Sequence, residues 1–324
     1  MPAAPPLSND RLTGFDAEFR DLDHYIRVIT DRIWEQRRLE DILRYYSDPC
    51  QVETPSSVST RIEEVIEGTR ATLTMFPDRR LLAEDIIWSG DAAGGYLSSH
   101  RIVSPMTHLG AGVFGPPTGR KLQVRTIADC VCRDNRIIHE WLVRDVGAIA
   151  VQTGTTPEVL ARRWLAERGG WNKPVAGAPP PGYVPEISGE PVAQRYAQAL
   201  RTFSAGRFDA AGLYDEAVHH IGPCATTRFG HVEVGQYWTA LWAAFKAEDF
   251  CIEHLASMPA DGRPARAAVR WRAHARHAGD GAYGPATGKR IEILGINHVE
   301  FVNGLVLREW VLVDDVALWM QVLA

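Results

Sequence analysis

A chain of 324 residues that is 45% apolar is long enough for two ordinary domains. Its formal net charge of −5, with basic residues spread through both halves, gives no electrostatic footprint for nucleic acid, and no apolar run approaches the ~20 residues that cross a bilayer. Five cysteines without framework spacing, and an opening MPAAPPLSNDRL that has neither the basic nor the apolar part of a secretion signal, lead to the expectation of a reducing, cytoplasmic setting.

Residues 1–15 are Pro-rich and polar, a loose leader. From 21 to 47 the apolar positions Leu22, Ile26, Ile29, Ile33, Ile42, Leu43 and Tyr46 recur at helical spacing, which predicts a long helix broken near Arg37-Arg38 and stopped by Asp48-Pro49. A short strand is expected at 50–54, then a helix with Ile62, Val65, Ile66, Thr69 and Leu73 on one face, ending at Phe76-Pro77-Asp78. Strands at about 81–88 and 94–106 flank a Gly90-Asp91 turn. A hairpin at 120–133 and 136–145, a closing helix at 145–152 and an amphipathic helix at 157–167 complete a first domain, 16–168. Residues 169–190, with Pro174, Pro179, Pro180, Pro181 and Pro185, read as a semi-rigid linker. The second domain, 191–324, repeats the order with helices at 191–205 and 230–247, and strands at 213–221, 250–258 and 264–277 before its own hairpin and helix. Each half is α+β, with helices on a curved antiparallel sheet.

Residues 115–152 recur without a gap at 284–321, every pair separated by 169 positions: Thr118/Thr287, Gly119/Gly288, Ile127/Ile296, Glu140/Glu309, Trp141/Trp310 and Asp145/Asp314 among them. A repeat this long means two copies of one domain. Asp134-Asn135 and Asn303-Gly304 are two-residue hairpin turns. Unbroken alternation from those turns puts Leu122, Val124, Thr126, Ala128, Cys130 and Cys132 on one face with Ile137, His139, Trp141, Val143 and Asp145, leaving Glu140 and Arg144 on the other. In the second copy the same alternation groups Asn297 with Arg308, Trp310 and Asp314.

Two readings of Asp145 and Asp314 stand. A carboxylate among apolar groups has a raised pKa and can act as acid or base near neutrality. Each also immediately precedes a helix, where aspartate commonly serves as the N-cap. His139 shares the inferred inner face in copy one. Copy two has Arg308 there, and a guanidinium does not exchange protons as an imidazole does, so copy one is the favoured site. Trp34, Tyr46, Trp141, Tyr214, Tyr237 and Trp310, with His219 and Asn297, could line a pocket for a flat apolar or aromatic ligand. The G-x-G-x-x-G at Gly110, Gly112 and Gly115, repeated at Gly279, Gly281 and Gly284, is followed by proline and a strand, not by a helix, so it is not read as a nucleotide site. Cys130 and Cys132, and His219 beside His220, lack zinc spacing. Neither metal nor other cofactor is expected.

The segments IWEQRRLEDILRYYSDP, MFPD, SGD, MTHLG, GPPTGRKL and NRIIHEWLVRD resemble the SnoaL-like polyketide cyclase branch of the nuclear-transport-factor-2-like superfamily. The resemblance covers nearly all of both halves, although the second has lost the F-P-D. It implies two tandem cone-shaped folds, each with an aspartate in a pocket inside the cone, a role that would fall on Asp145 and Asp314. His108 and His277 fill the histidine of the family's G-T-H-x-G element, as loop-binding structural residues or as groups orienting a substrate. The function expected is that of a cofactor-free acid/base enzyme, a lyase, isomerase or aldol-type cyclase, acting on a small, largely apolar oxygenated metabolite. A binding protein of the same fold and a purely structural pseudo-dimer are the alternatives. The halves are expected to pair through their sheets as an intramolecular pseudo-dimer, and a homo-oligomer is compatible with the same surfaces.

Overall fold

The long helix expected at the start of the first half is divided. Helix α1, Leu22–Thr30, is capped by Asp21, whose carboxylate accepts the His24 N–H at 2.7 Å, and it buries Leu22, Tyr25, Ile26 and Ile29. A single π turn, Asp31–Glu35, follows, and the chain turns at Arg37, where φ is +60°, before α2, Ile42–Tyr45. The break falls at Arg37-Arg38 as the spacing predicts, but Tyr46 opens strand β1, Tyr46–Thr54, instead of closing a helix. The computed structural model describes residues 12–183, 189–279 and 281–324; leader residues 1–11 and linker residues 184–188, Pro185 included, lie outside them. Among the described residues no helix is long and apolar enough to cross a membrane.

The first half continues through β2 (Ser57–Ser59), α3 (Ile62–Met75), β3 (Leu82–Asp91), β4 (Gly95–Thr107), β5 (Lys121–Arg133), β6 (Arg136–Arg144), α4 (Val146–Thr153) and α5 (Pro157–Arg168). The second runs α6 (Pro191–Ser204), β7 (Tyr214–Gly222), β8 (Thr226–Phe229), α7 (Gly230–Ala244), β9 (Phe245–Met258), β10 (Ala265–His277), β11 (Arg290–Val302), β12 (Leu305–Leu312) and α8 (Asp315–Leu323). The sheets have the orders β2-β1-β6-β5-β4-β3 and β8-β7-β12-β11-β10-β9. They are mixed, not antiparallel as expected, because β1 pairs parallel with β6, and β7 with β12. The cause is the connection: α3 carries the chain to the far edge at β3, and the meander β3-β4-β5-β6 returns beside β1. Asp134 and Asn135 (φ +48° and +65°), and Asn303 and Gly304 (+52° and +77°), form the tight hairpin turns that their side chains tolerate.

One residue corrects the faces of the closing strand. Cys132 lies opposite Ile137, but Val131 lies opposite His139, so Ile138 is an extra residue on β6, a β-bulge. In the second copy Phe301 opposes Val306 and Glu300 opposes Arg308, which leaves Leu307 as the equivalent bulge. Beyond the bulge every side chain is on the opposite face from that given by unbroken alternation. Glu140, Leu142 and Arg144 therefore point into the cone, while His139, Trp141 and Val143 point out of it.

The outward faces of the two sheets meet. Ile127, Val131, Trp141 and Val143 pack with Leu294, Ile296 and Leu312. Around this apolar centre Asp129 accepts from Arg270 at 2.8 Å and is 3.2 Å from His254, and Ser99 is 2.8 Å from His298. Arg101 lies over the Trp310 ring at 3.5 Å, and Arg270 over the Trp141 ring at 3.6 Å. Helix α5 adds Leu160, Ala161 and Trp164 against Val316 and Met320 of α8.

Candidate functional site

The first cone encloses a cavity of about 340 Å³, floored by β4, β5 and β6 and roofed by α1 and α3. Helix α3 presents Gly68, Thr69 and Thr72 to it, and these small side chains leave the space open. Three rows of the sheet define the floor. Cys130 is paired with Ser98 and Glu140, Ala128 with His100 and Leu142, and Thr126 with Ile102 and Arg144. Ile26, Ile29, Trp34, Tyr46 and Ile137 add an apolar and aromatic wall.

Glu140 is the carboxylate inside. It is 5% exposed, and the Tyr46 hydroxyl donates to its Oε2 at 3.1 Å. Burial raises its pKa from 4.5 to about 7, against the opposing effects of the Tyr46 hydrogen bond and the Arg144 charge. His100 is driven down to about 3 by burial, with Arg27 acting in the same direction, so it is neutral at pH 7. Among the described residues its Nε2 and the Thr126 hydroxyl have no hydrogen-bond partner. An acid with a pKa near neutrality, a neutral imidazole and a hydroxyl thus face one apolar space, an arrangement able to move a proton and stabilise an oxyanion.

The residues proposed from the sequence are distributed differently. Trp34 and Tyr46 do line the cavity. Asp145 does not: it caps α4 through the Ala148 N–H at 2.8 Å, and its carboxylate also accepts the Cys224 and Ala225 N–H groups of the second half at 2.8 and 3.0 Å. Burial raises its pKa to about 6, but its oxygens are committed to structure. Asp314 likewise caps α8 through Val316 and Ala317. Of the two readings, the N-cap is the one observed. His139 and Trp141 pack against one another at a tilt on the outward face, in a groove that linker residues Val175, Ala176 and Gly177 also line. Trp310 lies under Arg101, and Arg308 pairs with Glu300 at 2.8 Å on the surface. The bulges at Ile138 and Leu307 put all four on the side away from the cone. His108 and His277 approach Thr118 and Thr287 at 3.3 and 3.0 Å, as loop-binding residues.

The second cone is filled by its own side chains. At the constant offset, Gly68, Thr69 and Thr72 become Tyr237, Trp238 and Leu241, Ile102 becomes Trp271, His100 becomes Val269 and Arg144 becomes Val313. Thr126 becomes Gly295, where a Cβ would lie 2.2 Å from the Trp271 ring, so the glycine makes room for the indole. Asn297 is not a free ligand group: it accepts from Trp271 Nε1 and donates to Tyr196. Glu309, the equivalent of Glu140, accepts from Tyr196 and Tyr214 at 2.5 and 2.8 Å and lies 2.6 Å from His220 Nδ1. Two grooves of this half, one of about 120 Å³ between Phe203, Phe208, Trp238 and Trp242 and one of about 390 Å³ between Cys224, Arg228, Tyr237, Leu241, Tyr283 and Asp315, both leave Glu309 out of their lining. Tyr237 packs on His220, and His219 stacks on Phe229 away from any cavity of this cone.

Sequence reasoning missed Glu140, His100, Thr126, Arg79 and Arg144. The signal for Glu140 was its pairing with Glu309 in the repeat, together with the doubled apolar residues Ile137-Ile138 and Val306-Leu307, which interrupt strict alternation at the bulge. Among the described residues no group of three His, Cys, Asp or Glu side chains is placed to hold a metal ion.

These two cones, one open and one packed, are the α+β class that the repeat predicts. The sequence model of the SnoaL-like polyketide cyclases matches residues 24–153 and again 191–322, and the chain belongs to that family as a tandem of two members. No curated protein matches it. Similar solved structures include IdmH from Streptomyces antibioticus (22% identity, 41% of this chain and 98% of that one, TM-score 0.36). A SnoaL-like polyketide cyclase from Agrobacterium tumefaciens is 19% identical over 42% of this chain and 100% of its own, with a TM-score of 0.35. TsrD from Streptomyces laurentii is 16% identical over 41% and 94%, with a TM-score of 0.36.

Proposed function

We propose that the first cone is the active site of an acid/base enzyme of the lyase, isomerase or aldol-type cyclase class, and that Glu140 moves the proton. The observation that carries this reading is the Glu140 carboxylate itself: buried, with one protein partner, facing an open cavity of small-molecule size. In the base form it would take a proton from a carbon next to a carbonyl. Neutral His100 would donate to, or polarise, the oxygen on which the enolate charge develops. The aromatic wall suits a flat, largely apolar oxygenated metabolite. A direct test is the Kemp elimination of 5-nitrobenzisoxazole, which needs only a positioned base to remove one C–H proton while the N–O bond breaks. The wild type should accelerate it, and Glu140→Gln should lower the rate by ~100-fold, the scale of a lost general base. Equal rates for the two proteins would leave the cone as a binding site only.

We also propose that the two halves act as an intramolecular pseudo-dimer, with the packed second cone supporting the first. Support comes from reciprocity. Arg101 and Arg270 are equivalent positions, as are Trp141 and Trp310, and each arginine covers the tryptophan of the other half. A self-complementary exchange of this kind is what a two-fold pairing produces.

A further inference from the structure

Two cations line the first cone with no ion pair among the described residues. Arg79 follows the Phe76-Pro77-Asp78 turn and is 6% exposed, yet among the described residues its guanidinium has neither an ion pair nor a hydrogen bond. Glu35, the acid whose field reaches it, is committed to Arg80 Nε at 3.0 Å and to the Leu81 N–H at 2.6 Å. Arg37 fixes the backbone here by donating to the carbonyls of Pro77 and Arg79, which adds a third positive charge. Among the described residues Arg144, on β6, has no ion pair either, and its Nε is buried without a hydrogen-bond partner. Burial depresses the pKa of both groups; Arg144 and Arg37 add to the effect at Arg79, while the fields of Asp314 and Glu140 oppose it at Arg144. Beside Arg144 in register, the Thr126 hydroxyl is also unpaired. The acids lining the cavity are Glu140 and Glu64, and Glu64 is at the rim with Arg61 at 3.3 Å.

Buried cations are ordinarily paired, because an unpaired one loses its hydration without compensation. Here, among the described residues, no carboxylate makes an ion pair with either guanidinium where the cavity is open. In the filled second cone the equivalents of Arg79 and Arg144 are Glu248 and Val313, so the cations are absent together with the space.

We propose that Arg79, Arg144 and Thr126 form a carboxylate subsite, so that the molecule taken by the first cone is an organic acid whose apolar body lies between this subsite and Glu140. This rests on the reading of Glu140 as the proton-transfer group only for what happens at the other end; the binding claim stands by itself. Glu140 and Arg144 are four residues apart on one strand, about 13 Å between Cα atoms at ~3.3 Å per residue. That spacing matches a two-ring or similarly extended molecule with the acid at one end and the reacting carbon towards the other.

The test compares 2-naphthoate with the neutral, isosteric 2-naphthamide by calorimetric titration of the full chain. The wild type should prefer the carboxylate by about tenfold or more, the factor that one charge-assisted hydrogen bond contributes. Arg79→Gln and Arg144→Gln should each reduce that preference to below about threefold by the same reasoning. Glu140→Gln should retain it, which separates failure of this subsite from failure of the proton-transfer reading. Because each arginine substitution removes an unpaired buried charge, the variants should melt at or above the wild-type temperature. Equal affinity for acid and amide in the wild type, failure of 2-naphthoate to bind at all, or a preference that survives in both arginine variants would overturn the proposal. A fall in melting temperature of more than ~5 °C in both arginine variants would also overturn it, by showing that the guanidinium groups are structural.

Discussion

Glu140 and Glu309 occupy the same position of two copies of one fold, and only one of them has an open space in front of it. Among the described residues Glu140 has a single hydrogen-bond partner, Tyr46, and a cavity beside it; Glu309 is 0% exposed and held by two tyrosines and a histidine. The difference comes from α7, where Tyr237, Trp238 and Leu241 replace the small residues of α3. Glu309 should therefore act as a structural acceptor. Glu309→Ala leaves three buried donors without it and should cost about 3–5 kcal/mol, the scale for breaking a buried polar pair. Urea denaturation of the variant should show a loss of unfolding free energy of that size.

The pH dependence of stability should carry the signature of Glu140. Its folded pKa is raised from 4.5 to about 7, so between those values the folded state holds a proton that the unfolded state has released. Its contribution to stability is full below pH 4.5 and falls as pH rises towards 7. A shift of this size corresponds to about 3 kcal/mol. Asp145 and Asp314, raised to about 6 and about 7, act in the same direction, so the comparison must be with Glu140→Gln, which keeps both. The variant should gain on the wild type progressively from pH 4.5 to 7 in chemical denaturation.

Transplanting the packed cone's residue should close the open one. Thr69→Trp places in α3 the indole that Trp238 supplies in α7, with a cavity of about 340 Å³ to receive it. We expect a folded protein with a melting temperature within ~5 °C of wild type that no longer binds 2-naphthoate. Thermal denaturation and calorimetric titration on the same sample check both parts.

The contact between the halves is testable through Arg270, which is 1% exposed, pairs with Asp129 and covers Trp141. Arg270→Met leaves the Asp129 carboxylate without its guanidinium partner. The expected cost is about 3–5 kcal/mol. In calorimetry the wild type should unfold in one transition, and the variant in two as the halves uncouple.

Much of this was legible in the residues. The constant offset of 169 exposed the tandem, and the periodicities of 22–46 and 62–73 placed the helices that roof the first cone. Trp34 and Tyr46, singled out by their aromatic character, line the cavity. The site itself was obscured by one inserted residue. Alternation has a period of two, so the bulge at Ile138 moved Glu140 and Arg144 inward and His139 and Trp141 outward. Asp145 looked buried and is, but at the junction of the halves, where the N–H groups of Cys224 and Ala225 meet it, and no local pattern shows that contact. Arg79 was hidden for a different reason: an arginine after a turn looks solvent-exposed, and its burial depends on strands far along the chain. The mixed sheet also depended on a long-range event, the return of β6 to lie beside β1.

The most direct test of Glu140 as the proton-transfer group is hydrogen–deuterium exchange at the α-carbon of 2-tetralone, followed by proton NMR from pH 5 to 9. A base must be ionised to act, so the enzyme-dependent rate should rise with pH through an inflection near 7, in line with the raised pKa of Glu140. Glu140→Gln should lower it by ~100-fold, and Asp145→Asn should stay within about threefold of wild type, because Asp145 caps a helix and does not face the cavity. Exchange that persists in Glu140→Gln and is lost in Asp145→Asn would contradict the account.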